Sequence, residues 1–405
     1  GLMPCVLDQS DVITKGAGSH LAPQQAVFSF RHPGLVPGST LRRGGRFEPL
    51  ATPLRLGGPR TESGVTGSVG KGRGSFRQVR VGAGHGEVEY ETTPHVVDPE
   101  IAVQPDSPQV HPAHGSNVLF HRRFVWGAVD EAFAKAQNTV KLRVRWGRSS
   151  TVPIETFGVV AQWDAGREIL DVWASIQMPK FPDQLARALK LPGNAVRVHY
   201  DVDVGGSYGV KRGIKHTALV SYLARKLGMP VRFLEDRLEN MRGGDMHGPD
   251  RIFDMEAAFD DDGTIRALKI RALDDVGAYA GRSPFQLDKP VTAICGPYRI
   301  PAVEYQPTAV LTNKTPEEAV RGFGQAPTNF ALERTLDCIA RHLKMDLVEI
   351  RRRNLIAHAQ MPYSLANVDP ADLYAHSECD SGDYHEALQR CLEEFDWVEK
   401  RRLQG

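Results

Sequence analysis

Cysteine is scarce in this sequence. Among its 405 residues there are five, Cys5, Cys295, Cys338, Cys379 and Cys391, and no two of them form a C-x-x-C pair. So scattered and odd a set excludes a disulfide framework or a cysteine-held cluster, and any iron–sulfur centre has to belong to another chain. His376, Cys379 and His385 form the tightest His/Cys grouping, but without zinc-site spacing they read as surface or packing residues. Long apolar runs are missing too, and none approaches the ~18–20 residues needed to cross a bilayer. Residues 1–10 carry neither a basic segment nor an apolar one, which predicts no secretory signal and a cytoplasmic location. A net charge of +1 excludes a globally basic nucleic-acid binder. With 41% hydrophobic and 24% charged residues the composition is that of a globular protein, long enough for two or three domains.

What is present changes character along the chain. Residues 1–85 are crowded with Gly, Arg, Ser and Pro, as in Arg42-Arg43-Gly44-Gly45-Arg46 and Gly70-Lys71-Gly72-Arg73-Gly74, with neither helical nor strand periodicity. This mixture predicts a segment without a packed core, disordered or mistranslated, and the phosphate-loop pattern G-x-x-x-x-G-K-[ST] is not met in it. From Gly86 the texture is that of a folded enzyme. Glu87-Val88-Glu89-Tyr90-Glu91 alternates as a strand does, residues 94–112 are a Pro-rich connection, and a new domain begins near Val118.

Strands are expected over 157–163, 169–174 and 195–204, the last with Val196, Val198, Tyr200, Val202 and Val204 on one face. A short helix over 182–191 stops at Pro192-Gly193. A longer one over 213–227 is expected to bury Ile214, Ala218, Leu219, Tyr222, Leu223 and Leu227. Asp260-Asp261-Asp262-Gly263 between two apolar runs predicts a hairpin. Leu332, Leu336, Ile339 and Leu343 stripe another helix, and Asp346-x-x-Glu349 caps the next. The strict βαβ period is absent, so the class is α+β.

Two glycine-rich turns carry the candidate chemistry. Val204-Gly205-Gly206-Ser207-Tyr208-Gly209-Val210-Lys211 follows a strand and precedes a helix, an arrangement in which backbone N–H groups cradle an oxyanion or else merely turn the chain. Ala319-Val320-Arg321-Gly322-Phe323-Gly324-Gln325 also precedes a helix. It sets a cation beside an aromatic that can wall a pocket.

Together with Pro153-Ile154-Glu155, Trp173 to Pro179, Asp275-Val276-Gly277-Ala278-Tyr279, Gly296-Pro297-Tyr298, Thr312-Asn313-Lys314 and Arg351-Arg352-Arg353-Asn354-Leu355, taken in this order, the turns resemble a known family. It is that of the molybdenum hydroxylases: xanthine dehydrogenase, aldehyde oxidase and the large subunit of aerobic carbon monoxide dehydrogenase. The resemblance implies an elongated molybdopterin-binding domain over 118–355. Before it would lie the tail of a small N-terminal α/β domain (86–117), and after it a truncated start of a second cofactor-binding domain (356–405).

It further implies a molybdopterin cofactor carrying Mo, as such or as the cytosine dinucleotide, with Mo held through the pterin rather than by side chains. The matching cofactor positions are Gln177, Gly205, Gly206, Ser207, Tyr208, Gly209, Arg321, Gly322, Phe323 and Gly324, with Tyr208 and Phe323 also at the substrate. Where the family usually has Phe the chain has Tyr208, and Ser207 stands where Gly is common; the extra hydroxyl is either a substrate contact or drift. A copper-binding Cys occupies the Gly322 position in carbon monoxide dehydrogenase, and without a thiolate Cu(I) has no ligand there. The implied substrate is therefore an aldehyde, a ketone-bearing compound or an aromatic N-heterocycle, oxidised with water-derived oxygen. Electrons would leave through an iron–sulfur small subunit and an FAD-binding medium subunit in a dimer of heterotrimers, with no nucleic acid or membrane involved. The family's base Glu lies in a later Gly-rich motif, so no catalytic residue is assigned here; Glu155 and Glu168 fall outside the motif and read as structural or exposed. On these grounds the chain is expected to be incomplete and inactive alone, with a shifted reading frame as one source of residues 1–85. The alternative is a non-catalytic, partner-binding remnant of the same fold.

Overall fold

The computed structural model describes residues 26–30, 77–79, 93–200, 203–242, 247–281, 283–364 and 378–404. Most Gly/Arg-rich runs of the N-terminal segment, the expected strand at Glu87 to Glu91, and His376 lie outside them. Two mixed sheets organise the rest, and the chain passes between them more than once.

The first sheet runs in the order β2-β1-β9-β6-β7-β8 and the second β3-β12-β11-β10-β5, with β4 also on β12. The strands are β1 (Ala26–Phe30), β2 (Arg77–Val79), β3 (Val118–His121), β4 (Phe124–Trp126), β5 (Asn138–Trp146), β6 (Gly158–Asp164) and β7 (Ile169–Ala174). They continue with β8 (Val196–His199), β9 (Val231–Leu234), β10 (Arg251–Phe259), β11 (Ile265–Gly277) and β12 (Val303–Leu311). A two-stranded ladder, β13 (Tyr363–Ser364) with β14 (Glu378–Cys379), follows. Strands β1 and β2 come from the segment read as lacking periodicity, and β1 pairs in parallel with β9. Backbone hydrogen bonds to an exposed edge require no side-chain pattern, so composition does not reveal such an addition.

The expected α+β class holds. The hairpin forms as the sequence predicts: β10 and β11 pair antiparallel from Arg251↔Asp274 onward, and the Asp260–Gly263 turn closes with Gly263 donating to Asp260 O. One face of the pair is apolar and buried, with Phe253, Met255, Phe259, Leu268 and Ile270, while the other carries the charged Asp254, Glu256, Lys269 and Arg271. The expected strand at 195–204 is shorter. Strand β8 lies at the sheet edge, pairs only with β7 through Leu170↔Val196 to Trp173↔His199, and ends there, leaving Tyr200 exposed.

Short helices α1 (Pro99–Ala102) and α2 (Val129–Lys135) precede α3 (Phe181–Leu189), which buries Phe181, Leu185 and Ala186 against the first sheet. Helix α4 (Lys215–Leu227) corrects one expectation. Its buried face is Thr217, Val220, Ser221 and Ala224, with Ile214, Ala218 and Leu223 of the expected stripe packed beside it, whereas Leu219, Tyr222 and Leu227 are exposed. Small residues let the helix axis approach the sheet closely, and larger ones at those positions would hold it off.

The remaining helices are α5 (Arg237–Arg242), α6 (Ser283–Asp288), α7 (Gln325–Leu343), α8 (Leu347–Asn354), α9 (Tyr384–Glu394) and α10 (Trp397–Gln404). Leu332, Leu336 and Ile339 on α7 are buried as expected, with Leu343 packed beside them. Asp346 caps α8, accepting from the N–H groups of Val348 and Glu349. At the other end of α8 the buried Asn354 accepts from Ile265 N–H at 2.9 Å and donates to Gly263 O at 2.9 Å, fastening the helix to the hairpin turn. Among the described residues no helix is long and apolar enough to cross a membrane.

Candidate functional site

Strand β7 delivers Gln177 just beyond its end, and the Gln177 backbone N–H donates to Lys211 O at 3.3 Å, so the first glycine turn runs alongside it. The Gln177 side chain is then fixed by that turn. Its Oε1 accepts from Gly209 N–H at 3.0 Å and from the Ser207 hydroxyl, whose oxygen accepts from Lys211 N–H at 3.1 Å. With Oε1 turned inward, Nε2 faces away, and among the described residues no protein group accepts from it. The Ser207 hydroxyl therefore orients Gln177.

Glu155 clasps the same turn from behind. Its Oε2 accepts from Gly205 N–H at 2.8 Å and from the buried Lys211 ammonium, while Glu155 N–H donates to Gly205 O. Burial pushes the Lys211 ammonium below its ordinary pKa, and the Glu155 carboxylate opposes that shift. Glu155 is thus engaged in holding the first turn closed. Glu168 is exposed on the turn between β6 and β7, with a φ of 52°.

The two turns, far apart in sequence, meet. Arg321 N–H donates to Tyr208 O at 2.6 Å, which holds Tyr208 in a left-handed conformation (φ 56°) that a bulky residue seldom adopts unaided. Gly209 has a φ of 118°, and a Cβ there would sit 1.9 Å from Ala319 O. Only glycine permits that contact. Gly322, at φ 90°, turns the chain into α7, where Ala326 N–H donates to Gly322 O. Among the described residues the backbone N–H groups of Ser207, Tyr208 and Gly322 donate to no protein acceptor. Tyr208 is half exposed, and Lys289 Nζ lies 5.5 Å from the centroid of the Phe323 ring.

These unengaged donors and the outward Gln177 amide form a set that can receive an oxygen-rich, anionic group. The positive end of α7 opens beside it. Every sequence-predicted cofactor position therefore lies on one of two touching turns or, for Gln177, is bonded to one of them.

Sequence reasoning missed the support beneath the second turn. Arg251, Asp274 and Glu317 are wholly buried. Arg251 Nε donates to Asp274 Oδ1 at 2.7 Å, and its Nη1 to Phe323 O at 2.8 Å. Beside them Lys314 Nζ contacts Asp275 Oδ2 at 2.6 Å, while Thr312 Oγ1 donates to Asp275 Oδ1 at 2.5 Å. Burial raises the pKa of Asp274 against the pull of Arg251, and burial together with Asp274 raises that of Glu317 well above the carboxylate range. A sequence signal was available: Asp274-Asp275 interrupts the apolar pattern of β11, and a charge there has to find a partner. Among the described residues no cluster of three His, Cys, Asp or Glu side chains could hold a metal.

Residues 110–355 match the family model for a molybdopterin cofactor-binding domain. Among curated relatives, the chain is 32% identical over 320 residues to the 6-hydroxypseudooxynicotine dehydrogenase complex subunit gamma of Paenarthrobacter nicotinovorans, covering 78% of this chain and 39% of that one. It is 33% identical over 338 residues to the carbon monoxide dehydrogenase large chain of Hydrogenophaga pseudoflava, covering 79% and 41%. Among solved structures, quinoline 2-oxidoreductase from Pseudomonas putida 86 superposes with a TM-score of 0.70 at 32% identity, covering 78% of this chain and 40% of that one. The chain thus spans about two fifths of the length of these relatives.

Proposed function

The chain belongs to the molybdenum hydroxylase family, in its molybdopterin-binding large subunit, and on that premise we propose that its two glycine turns hold the pterin and frame the substrate pocket. What carries the reading is the meeting of Gly205–Gly209 with Arg321–Gly324 through the Arg321-to-Tyr208 hydrogen bond, with the N–H groups of Ser207, Tyr208 and Gly322 left over as donors. Those donors suit the oxygens of molybdopterin or its cytosine dinucleotide form, and Gln177 Nε2 suits a metal-oxo oxygen. When bound, the group supplies the two-electron chemistry that hydroxylates an electron-poor carbon with oxygen from water.

The chain's own residues bind and orient. Glu155 and Lys211 keep the first turn closed, Ser207 aims Gln177, and Tyr208 and Phe323 present aromatic faces to a planar substrate. The general base is not assigned to this chain, since Glu155 is engaged in the clasp and Glu168 lies on a remote turn.

The substrate class is an aldehyde, a ketone-bearing compound or an aromatic N-heterocycle. Gly322 offers no thiolate for copper, which argues against carbon monoxide. Quinoline, named for the superposed structure, is an N-heteroaromatic, and relatives named as a complex subunit or a large chain fit electron transfer through iron–sulfur and FAD partners. The test is Phe323→Ala in the complex reconstituted with its partner subunits. Losing the aromatic wall is expected to raise KM for N-heteroaromatic substrates about tenfold, with Mo content unchanged. Unaltered KM across aldehydes and N-heterocycles alike would remove Phe323 from the pocket.

A further inference from the structure

Three ionisable side chains, Arg251, Asp274 and Glu317, lie wholly out of water at the end of the second sheet. Their register explains the first pair: Arg251 opens β10 directly opposite Asp274 on β11, so guanidinium and carboxylate face one another across the ladder. Nε and Nη2 reach the two Asp274 oxygens at 2.7 and 3.4 Å, and Nη2 lies 3.9 Å from Glu317 Oε1. The third nitrogen, Nη1, points off the sheet to Phe323 O at 2.8 Å, across 72 residues of chain.

Stability alone gives little reason for such a cluster, because burying ions costs several kcal/mol each and an apolar replacement of similar volume is often as stable. What a guanidinium adds is planar geometry, donating in several fixed directions at once. Here one edge is locked to the sheet and the other holds the main chain of the second turn. That turn in turn donates from Arg321 N–H to Tyr208 O, so a displacement of Phe323 is passed to the first turn.

We propose that Arg251, anchored by Asp274, is a positioning residue that fixes the second glycine turn and through it the distance between the two turns. That these turns enclose the cofactor and substrate rests on the function proposed above; that Arg251 sets their geometry does not.

The variant Arg251→Lys keeps the charge, but an ammonium cannot span Asp274 and the Phe323 carbonyl together. In the complex with its partner subunits, hydrogen–deuterium exchange is expected to quicken about tenfold or more in residues 319–325 and, to a lesser extent, in 206–210, with the β10–β11 hairpin unchanged. KM for a ring substrate is expected to rise about tenfold with kcat altered less than about threefold. Asp274→Asn keeps the shape and one accepting oxygen while weakening the anchor, so it should give a milder version of the same pattern and serves if Arg251→Lys does not fold. Unchanged exchange in both turns overturns the proposal, as does acceleration spread evenly through β10 and β11, the mark of a merely structural pair. Faster exchange in the turns with KM unaltered supports the positioning role and overturns the pocket reading instead.

Discussion

Gly209 shows how much of the site depends on single atoms. Its φ is 118°, and the 1.9 Å that would separate a Cβ from Ala319 O leaves no room for even a methyl group. We expect Gly209→Ala to cost about 1–3 kcal/mol in backbone strain alone and to push the turns apart. Differential scanning fluorimetry should show a melting point lowered by several degrees, and a melting point within a degree of the parent would mean the turns do not pack as described. At this scale the candidate positions were legible, because Gln177, the glycines and the aromatics occur in motifs whose order survives in the sequence. Arg251 was not. A charge in a strand is ordinarily read as facing solvent, and only the register that sets it against Asp274 and the loop that brings Phe323 O within 2.8 Å reveal its role.

Elements were legible where one physical rule dominated. The Asp-Gly hairpin, the apolar stripe of α7 and the Asp346 cap all form as local chemistry dictates. Helix α4 was misread because large apolar residues were assumed to face inward, whereas close packing on the first sheet selected Val220 and Ala224 and left Leu219 and Tyr222 outside. Strand β8 stopped early for a related reason, since a residue alternation does not say where the pairing partner ends. Asp346 offers an element-scale test. Replacing it with Ala removes the acceptor for two N–H groups at the start of α8, at a cost of about 1 kcal/mol. Because Asn354 ties the same helix to the hairpin turn, the loss should register in global unfolding by denaturant as a lower midpoint with an unchanged slope. A midpoint equal to the parent's would show that α8 contributes nothing to the cooperative unit.

For the whole molecule, the α+β architecture followed from the mixture of hairpin and helix signals, but the division into two sheets did not. Strands enter the sheets in runs, β1–β2 and β6–β9 in the first and β3–β5 and β10–β12 in the second, and nothing local in a strand says which sheet it joins. That division brings the two glycine turns together, since the first follows the edge strand of one sheet and the second precedes the helix packed on the other. In the proposed reading, a cofactor seated at the two turns would bridge the two sheets and hold them together. The most direct measurement is Mo and pterin content per chain in the protein purified from cells together with the partner subunits proposed above. The account predicts close to one of each, and a stable, folded complex that contains neither would contradict it.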